Sequence, residues 1–588
     1  MLQLSKLAIT NFRSVEAHVF ELPALTFLVG KNDAGKSNIL NAIQILLEGA
    51  PSDLSELDYY DRRQQMIIEA EFSGADRYLA LCDEKNRPKI SDRLVDARSI
   101  RVRKIADEKN GLSKLEIFDP QSDAFSTPTG IDAPLKTILP EIIFIGALDD
   151  VSQEAEGSKK GAISKLMSQI LARVKDRLEP EITKAYSEAN RLLNLDESIA
   201  GSPGSPSDQR IQEIKDLESR ISGYLAETFP AAAANLKVSF PSVDQLFKGV
   251  DIWIKEGRHN DPYYRRGHGL QRALYLSLLR TLAFYIRRDR PQEIVRPFIL
   301  LFEEPETCLH PDGQIKMRRA LQDISQHEQV VVATHSAILI APEMIRNTLR
   351  LEKVQASPNP PITKGFGPLS QADLLESERE IERLFEIQRS SKFLFAKGVL
   401  FVEGIADEYL VSAAGVALKA FDLEFNEIAV VESGGKDNIP TFLKLVEKLG
   451  LQSWALVDLD FLWRGAGEIL INDAAYAKFC KELKRGEVPI LGAPTEAQKK
   501  EEKKRRTDCC RNELRTEVAD LCARLRAHRV YVLRHGEIEC YFEMSETSKS
   551  KYASVAREVR ANRKSISPVE DFDILFTDLS SWALGNRP

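Results

Sequence analysis

The stretch GKNDAGKS, residues 30–37, decides the architecture of the N-terminal part of this chain. It fits the pattern G-x-x-x-x-G-K-S/T at every position, and it stands between the apolar run ALTFLVG (24–30), which predicts a buried strand, and a run with helical apolar spacing. In such a loop the backbone N–H groups point at phosphate oxygens, Lys36 neutralises the β- and γ-phosphates, and the Ser37 hydroxyl ligates Mg²⁺. The sequence therefore predicts an ATP site made of Gly30, Asn32, Asp33, Gly35, Lys36, Ser37 and Asn38.

A second apolar run, FILLFEEP (298–305), predicts a buried strand that ends in two neighbouring acids. Glu303 is predicted to hold the metal of the ATP site through its bound water, and Glu304 is predicted to orient or activate the attacking water. A further buried strand is predicted in QVVVATHS (329–336), and it is followed by His335.

The order of these motifs resembles that of ABC-type ATPases of the SMC and recombination type. The alternation of apolar residues from Leu2 to Ile9 predicts a first strand, and the NFRS that follows it (11–14) fits the same group. The resemblance implies that His335 senses the γ-phosphate and that Arg13 contacts the nucleotide.

The stretch RGHGLQR (266–272) stands where ABC proteins have Ser-Gly-Gly-Gln. Two interpretations are open. Gly267, Gly269 and Gln271 present backbone amides to a nucleotide across a dimer interface, or the stretch is a loop that opens the next helix. The serine of the motif is missing, which puts nucleotide binding across a dimer in doubt.

Between these motifs, apolar residues keep helical spacing over 163–178 and again over 211–225, on either side of GSPGSPSD (201–208). This pattern predicts a helical insertion at about 155–235, and both a buried subdomain and a dimerisation arm fit it. A Pro- and Gly-containing stretch at 356–368 predicts a domain boundary just beyond it, so the ABC-type ATPase domain is assigned to 1–375.

The rest of the chain, 390–588, alternates predicted strands and helices and indicates a second, mainly parallel α/β sheet. A charged helical insertion at about 475–525 precedes the last strand. Within it, the locally basic run around 499–506 fits two interpretations, a solvated helix with Glu–Lys pairs or an element that tracks phosphates.

Acidic residues follow the strands of this second sheet. Glu403 ends a buried strand, and Asp407 lies one helical turn further on. Asp458 and Asp460 end another strand two residues apart and therefore point to the same side. Carboxylates gathered in this way repel one another unless cations neutralise them, and oxygen ligands suit Mg²⁺ or Mn²⁺. The pattern predicts metal-assisted phosphodiester chemistry.

A strand-end acid with glycine followed by a strand-end Asp-x-Asp resembles the Toprim domain, which has a Rossmann-like α/β fold. Its attachment to an ABC-type ATPase is similar to the OLD (overcoming lysogenization defect) family and to the nuclease subunit of Gabija-type anti-phage systems. The resemblance implies an ATP-regulated DNA endonuclease, acting in anti-phage defence in many members, and adds Glu539 as a metal-site acid. It leaves the catalytic lysine open among Lys549, Lys551 and Lys564. The predicted catalytic residues are Glu304, Glu403, Asp407, Asp458, Asp460 and Glu539, and the predicted metal ligands are Ser37, Glu303, Glu403, Asp407, Asp458, Asp460 and Glu539.

Composition bears on location and partners. No apolar run reaches the length of a membrane span and no secretory signal is evident, so a cytoplasmic protein without a membrane partner is expected. Seven scattered cysteines with no CxxC pair argue against a disulfide framework or a zinc ribbon. DNA is the expected partner. A homo-oligomer, dimer or tetramer, is expected because ABC-type sites are usually completed between two protomers, and the need for a helicase-like partner is open.

Two other functions compete with the nuclease. In the first, the chain is an ATP-driven DNA clamp or repair factor whose Toprim domain binds DNA without cutting it, and the intact acids speak against this. The second, a topoisomerase or primase, needs a tyrosine-bearing breakage domain or a zinc ribbon, and the sequence offers neither.

Overall fold

The computed structural model describes residues 1–50, 54–107, 111–146, 162–172, 175–194, 209–226, 233–240, 252–288, 296–355, 360–368, 392–419, 421–485, 495–544 and 548–585. Within these ranges, every α-helix is too short or too polar to span a lipid bilayer. The chain divides into two compact units. Unit 1 comprises Met1–Leu139 and Val331–Pro588, and unit 2 comprises Pro140–Val330.

The strands, in chain order, are β1 (Gln3–Phe12), β2 (Val15–Glu21), β3 (Leu25–Val29), β4 (Met66–Ser73), β5 (Ile100–Asp107), β6 (Gly111–Leu112), β7 (Glu116–Asp119), β8 (Ala124–Ser126), β9 (Glu141–Ile145), β10 (Trp253–Glu256), β11 (His259–Pro262), β12 (Phe298–Glu303), β13 (Gln329–Ala333), β14 (Thr348–Val354), β15 (Ile362–Phe366), β16 (Gly398–Val402), β17 (Ile428–Glu432), β18 (Gln452–Asp458) and β19 (Val530–Leu533). The α-helices are α1 (Lys36–Glu48), α2 (Arg87–Ser91), α3 (Asp132–Ile138), α4 (Ala162–Ala172), α5 (Lys175–Leu193), α6 (Gln212–Ala226), α7 (His268–Arg288), α8 (Pro311–Ser325), α9 (Ile405–Lys419), α10 (Ile439–Lys448), α11 (Ala466–Ile469), α12 (Ala474–Leu483), α13 (Glu496–Asn512), α14 (Arg515–Ala527), α15 (Lys549–Arg560) and α16 (Glu570–Gly585).

Unit 1 opens with an antiparallel sheet of order β2-β1-β4-β5-β7-β8, with β6 paired to β5. The strand predicted from Leu2 to Ile9 is β1. Its apolar residues change phase after Leu4, and the pairing with β4 shifts register between Leu4 and Lys6. This irregularity adds one residue, so that Leu4, Leu7 and Ile9 are all buried despite their uneven spacing.

The strand before the glycine-rich loop is β3, and each of its residues is buried. It pairs in parallel with β14, which pairs antiparallel with β15. Just after β13, the backbone N–H of Thr334 donates to the carbonyl of Leu28 in β3 at 3.1 Å. The predicted sequence of strand, loop and helix is confirmed, because α1 begins at Lys36, the seventh of the eight loop residues.

Unit 2 contains the parallel pair β9 and β12 and the antiparallel hairpin β10–β11. The helical spacing over 163–178 corresponds to α4 and α5, and α5 continues to Leu193. The spacing over 211–225 corresponds to α6. The intervening GSPGSPSD lies outside the described residues, and the role of these helices as a dimerisation arm stays a prediction.

The C-terminal α/β sheet is fully parallel, with the strand order β17-β16-β18-β19. Chain order and helix placement agree with the prediction, because α9 follows β16, α10 follows β17, and the charged segment predicted at 475–525 contains α12, α13 and α14. Strand β16 has β17 on one side and β18 on the other. The connection from β16 to β17 and the connection from β17 to β18 therefore run in opposite directions across the sheet. The crevice that this creates at the carboxyl ends of the strands is the usual place for a ligand in an open α/β sheet.

Candidate functional site

The loop 30–37 closes around the amino group of Lys36. The Lys36 Nζ donates to the carbonyl oxygens of Gly30 at 3.0 Å and of Lys31 at 2.8 Å, and the residue is 7% exposed. Gly35 has φ 97°, and a Cβ there would lie 2.6 Å from Thr363 Oγ1, so this position requires glycine. Charged phosphate oxygens are stronger acceptors for an ammonium group than neutral carbonyls are. A phosphate can therefore replace the two carbonyls as the partner of Lys36.

Arg13, which was also predicted to contact the nucleotide, bonds to the first turn of α1. The Arg13 Nη1 donates to Asn38 Oδ1 at 3.3 Å, and the Arg13 Nε donates to Asp58 Oδ1 at 2.9 Å. The remaining members of the predicted set are exposed or partly exposed in unit 1, at Asn32, Asp33, Ser37 and His335.

Unit 2 carries the predicted strand-end glutamates. Glu303 is the last residue of β12, and Glu304 follows it with φ 46°. The Thr307 hydroxyl donates to Glu304 Oε2 at 3.3 Å. Both acids are half-buried at the end of a strand whose other residues are fully buried, as the apolar run predicted.

In the stretch 266–272, α7 begins at His268. The Gln271 Nε2 donates to the carbonyls of Arg266 at 2.7 Å and Tyr264 at 3.3 Å, and Gln271 is 3% exposed. Arg272 is 1% exposed and donates to the Gly146 carbonyl at 2.9 Å. The side chains of this stretch hold a loop that opens a helix, so the contacts favour the second interpretation of the sequence.

The C-terminal sheet gathers acids at its carboxyl edge. Carboxylate oxygens of Glu403, Asp458 and Asp460 lie within 4.8 Å of one another. Two of these side chains are fixed by the backbone, because Glu403 Oε1 accepts from the Asp458 N–H at 3.0 Å and Asp458 Oδ1 accepts from the Ile538 N–H at 3.1 Å. We call Glu403, Asp458 and Asp460 the carboxylate cluster.

Asp407 and Glu539 lie in a cavity beside this cluster. Asp407 Oδ2 accepts from the Gly404 N–H at 2.8 Å, and Glu539 Oε1 accepts from the Tyr552 hydroxyl at 2.8 Å. The cavity measures 480 Å³. Its lining consists of Glu403, Gly404, Ala406, Asp407, Glu432, Gly434, Gly435, Asp458, Glu537 and Glu539. The five acids predicted for the metal site thus fall into two groups, and Glu403 and Asp458 belong to both.

The environment divides these acids electrostatically. Burial raises the pKa of Asp407 to about 7, and the nearby charge of Glu403 adds to the effect. Burial and the charges of Glu403 and Asp407 hold the pKa of Asp458 well above its usual range. Burial also acts on Asp460, but the ion pairs with Lys436 and Lys503 outweigh it and lower the pKa of that carboxyl.

Two lysines that the sequence analysis did not single out neutralise the cluster. Lys436 contacts Asp460 through a short ion pair and lies 3.5 Å from Glu403 Oε2. The Lys503 Nζ lies 3.1 Å from Asp460 Oδ2 and 2.5 Å from Glu537 Oε1. A lysine between two buried carboxylates occupies a position that a divalent cation can also take, and the oxygen-only donors suit Mg²⁺ or Mn²⁺. The residues present therefore fit a metal site.

Further acids complete the cavity. Glu432 ends β17 and lines the cavity next to Asp407, although it was not predicted. Its position at the end of a parallel strand, in IAVVES, is the signal that would have found it.

The three candidates for a catalytic lysine stay open. Lys551 is exposed, Lys564 is half-buried, and the side chain of Lys549 lies outside the described residues.

The nucleotide loop touches the C-terminal sheet within unit 1. Lys31 forms an ion pair with Glu427, the residue before β17, and the Lys397 Nζ lies 2.8 Å from the same carboxylate. On β14, the buried Arg350 donates through Nη1 to the Gly450 carbonyl at 3.1 Å, in the turn between α10 and β18. We call Lys31, Glu427, Lys397 and Arg350 the junction.

Comparisons with known proteins agree with this two-part architecture. A family model described as an AAA ATPase domain matches residues 2–127 and 135–340, more than half of the chain, and a model described as the TOPRIM domain of overcoming lysogenization defect protein-like proteins matches 394–460. The chain is 26% identical over 601 residues to the Old nuclease of Escherichia phage P2, covering 97% of this chain and 99% of the relative. It is 22% identical to the OLD nuclease of Thermus scotoductus, covering 78% and 82%, and 23% identical to the endonuclease GajA of Bacillus cereus, covering 70% and 67%.

Proposed function

The chain belongs to the AAA ATPase domain family, and from this premise we propose that it is a metal-dependent DNA endonuclease whose cleavage is regulated by ATP. The match of residues 394–460 to an OLD-like TOPRIM domain supports the nuclease assignment. Relatives named as nucleases align over most of the chain, the phage P2 protein over 97% of it. DNA is the substrate, and Mg²⁺ or Mn²⁺ is the metal.

The observation that carries this proposal is the carboxylate cluster at the carboxyl edge of the parallel sheet. Glu403 follows β16, Asp458 ends β18, and Asp460 lies in the 3-10 turn after β18. Oxygens of these three acids lie within 4.8 Å of one another, and Asp407 and Glu539 line the adjoining cavity. When bound there, divalent ions supply a nucleophilic water at neutral pH and stabilise the leaving oxygen of the phosphodiester.

The side chains of the site divide the work. Glu403, Asp458 and Asp460 would hold one ion, and Asp407 and Glu539 line the adjoining cavity. Asp407 lines the cavity next to the carboxylate cluster, and in the metal-free chain burial raises its pKa to about 7, so this carboxyl is placed to accept a proton from the attacking water. The Gly404 N–H donates to one oxygen of that carboxyl.

ATP binding belongs to the loop 30–37. Lys36 contacts the β- and γ-phosphates, Ser37 contacts the Mg²⁺ of the nucleotide, and Glu303, Glu304 and His335 take the roles predicted for an ABC-type ATPase. The contact of the Lys36 Nζ with the Lys31 carbonyl supports regulation by ATP, because Lys31 also pairs with Glu427 before β17. A nucleotide that draws Lys36 toward its phosphates breaks the hydrogen bond from Lys36 to the Lys31 carbonyl, and Lys31 is the residue that pairs with Glu427 at the start of β17.

The biological setting follows from the resemblance to the OLD family. We place the protein in the cytoplasm as a homo-oligomer, dimer or tetramer, that acts in anti-phage defence, with the need for a helicase-like partner open. Phage titres on cells that carry the gene, with or without Asp458→Ala, test the defensive role. A protective effect that survives Asp458→Ala would show that defence does not depend on the proposed nuclease site.

The proposal is tested by cleavage of supercoiled plasmid with Mg²⁺ or Mn²⁺, with and without ATP. Wild-type protein nicks or linearises the plasmid, and Asp458→Ala lowers the rate by at least about a hundredfold because the metal loses a ligand. Lys36→Ala loses the response to ATP. The control is Asp520→Ala, an exposed acid on α14 that pairs with Arg524 and should cut like wild type.

Two outcomes would overturn parts of the proposal. If Asp458→Ala cuts as fast as wild type, the metal site lies elsewhere. If no form of the chain cuts DNA but the wild type binds it in an ATP-dependent way, the DNA clamp is the better assignment.

A further inference from the structure

A second cavity adjoins the carboxylate cluster on the side of α13. It measures 410 Å³ and shares Asp458 and Glu537 with the cavity described above. Its lining consists of Asp458, Leu459, Asp460, Lys500, Lys503, Lys504, Thr507, Asp508, Arg511, Gly536, Glu537 and Cys540. We call the part contributed by Lys500, Lys503, Lys504, Thr507 and Arg511 the basic groove.

The residues of the basic groove lie on one face of α13. Their spacings of three and four residues place them one above the other along the helix. Four of the five are cations, and Asp508 is the one acid that α13 contributes to the lining. From Lys500 to Arg511 the helix axis rises about 16 Å, roughly the length of five nucleotides of a duplex strand.

The other faces of the helix use their charges internally. Glu502 accepts from Arg505 and Arg506 at 2.8 Å each, and Lys499 pairs with Glu496 at 2.8 Å. In contrast, Lys500 and Lys504 are exposed and make no ion pair with any part of the chain that the structure describes. A solvated helix stabilised by Glu–Lys pairs would distribute its pairs around the helix, and this one leaves Lys500 and Lys504 out of them and pairs Lys503 with acids outside the helix.

Lys503 connects the basic groove to the site of cleavage. Its Nζ lies 3.1 Å from Asp460 Oδ2, in the carboxylate cluster. A phosphate that replaces Glu537 as a partner of Lys503 would lie next to the cluster. Lys500 lies three residues before Lys503 and Lys504 directly after it, so these two lysines flank that position along the helix.

We propose that the basic groove binds the sugar-phosphate backbone of the DNA strand that is cut, with Lys500 and Lys504 contacting phosphates beside the scissile one. This inference rests on the proposed function, because it names the path of the substrate through the same site. The contacts are to phosphates, so they contribute affinity and position without sequence preference.

The test compares two double variants that remove the same charge. Lys500→Gln/Lys504→Gln removes both exposed groove lysines, and Lys478→Gln/Lys499→Gln removes two lysines that do not line the cavity and that pair with Glu482 and Glu496. Each is made in an Asp458→Asn background, and binding of a fluorescent 30-base-pair duplex is measured with Mg²⁺ at several salt concentrations. Thermal melting of each variant establishes that it is folded.

The groove variant should bind more weakly and with a smaller salt dependence. Loss of two phosphate contacts lowers the slope of log affinity against log salt by about 1.8, so its affinity deficit shrinks about tenfold between roughly 50 and 200 mM salt. The control variant should keep the slope of the Asp458→Asn parent. Equal slopes for the groove variant and the parent, or equal losses in both double variants, would overturn the proposal.

The outcome separates this inference from the proposed function. If the wild-type chain cuts plasmid and the groove variant keeps the parent slope, the groove assignment alone fails. If the wild type cuts no DNA with either metal, the nuclease assignment fails, and the salt slopes still decide whether the groove contacts phosphates.

Discussion

Asp407 and Asp460 show how one residue type acquires two properties in a single site. Both are buried, at 9% and 3% exposure. Asp460 has two lysines beside it, and their charges more than offset the desolvation of its carboxylate, so its pKa is lowered. Asp407 has a backbone N–H and the neighbouring acids Glu403 and Glu539, so burial dominates and its pKa rises to about 7. One carboxylate is therefore ready to bind a cation, and the other can exchange a proton.

This difference predicts how stability depends on pH and metal. Below its usual pKa of 3.8, Asp407 is protonated in both the folded and the unfolded chain. As pH rises from there to about 7, the unfolded chain ionises first, so this group stabilises the metal-free fold less and less. Divalent ions favour the ionised form. The gain in melting temperature caused by Mg²⁺ should therefore be larger at pH 8 than at pH 6.

Differential scanning fluorimetry of the wild type and Asp407→Asn, with Mg²⁺ or EDTA, measures this effect. The amide cannot titrate, so the Mg²⁺-induced gains in melting temperature at pH 6 and at pH 8 should differ less in the variant than in the wild type. A Mg²⁺ gain that is the same at pH 6 and pH 8 in the wild type would contradict the assignment of Asp407 to the metal site.

At the scale of elements, the turn between β17 and α10 brings a cation into the acid cluster. Gly434 and Gly435 have φ 64° and 131°, and they let the chain turn sharply at the end of β17. Lys436 follows and reaches Asp460 and Glu403, which come from β18 and β16. Two neighbouring strands and the turn beside them thus meet at one point. There the lysine neutralises carboxylates that would otherwise repel each other.

Lys436→Gln should therefore destabilise the metal-free protein and strengthen its response to metal. Removing one partner of a buried ion pair costs about 3 kcal/mol, the lower end of the usual range, because Lys503 still neutralises Asp460. Without the lysine, a divalent ion meets less competition for the cluster. Thermal melting with and without Mn²⁺ should show a lower melting temperature in EDTA and a larger metal-induced gain than in the wild type.

Lys444→Gln, an exposed lysine on α10, is the matched control and should melt like the wild type. A Lys436→Gln protein that melts like the wild type in EDTA would show that this lysine does not stabilise the cluster.

At the scale of the whole molecule, the junction connects the nucleotide loop to the edge of the C-terminal sheet opposite the carboxylate cluster. Lys31 lies in the loop, and Glu427 precedes β17. This strand ends at Glu432, which lines the 480 Å³ cavity beside the carboxylate cluster. Lys397 pairs with the same glutamate and precedes β16, which leads to Glu403. Two adjacent strands therefore run from the junction to the carboxylate cluster, and a shift at their first residues can be carried along them.

Glu427→Gln should weaken the effect of ATP on cleavage and leave cleavage without ATP unchanged. The Lys31 and Glu427 side chains are 39% and 45% exposed, and such pairs contribute about 1 kcal/mol or less, so the ATP effect should shrink by up to about fivefold. Plasmid cleavage over a series of ATP concentrations measures it. Glu424→Gln, on the exposed turn before Glu427, is the control, and a full ATP effect in Glu427→Gln would exclude the junction as the route.

Local sequence patterns were enough to predict the features that depend on residues close together along the chain. A phosphate loop is defined by eight consecutive residues and the strand and helix beside them. The alternation of strands and helices after residue 390 follows from apolar periodicity, and strand ends predict where Glu403 and Asp458 lie. The parallel order of the C-terminal sheet also followed, because a helix between two strands gives a parallel crossover.

Which distant side chains meet depends on the tertiary fold. Lys436 and Glu432 carried no motif, and Lys503 stood in a basic run with two open interpretations. All three belong to the site because a turn, a strand end and an inserted helix converge on the same edge of the sheet. The contact of Lys31 with Glu427 joins residues 396 positions apart, which no local pattern encodes. The ionisation of Asp407 and Asp460 also depends on the tertiary fold, because burial and neighbouring charges set the pKa of each carboxyl.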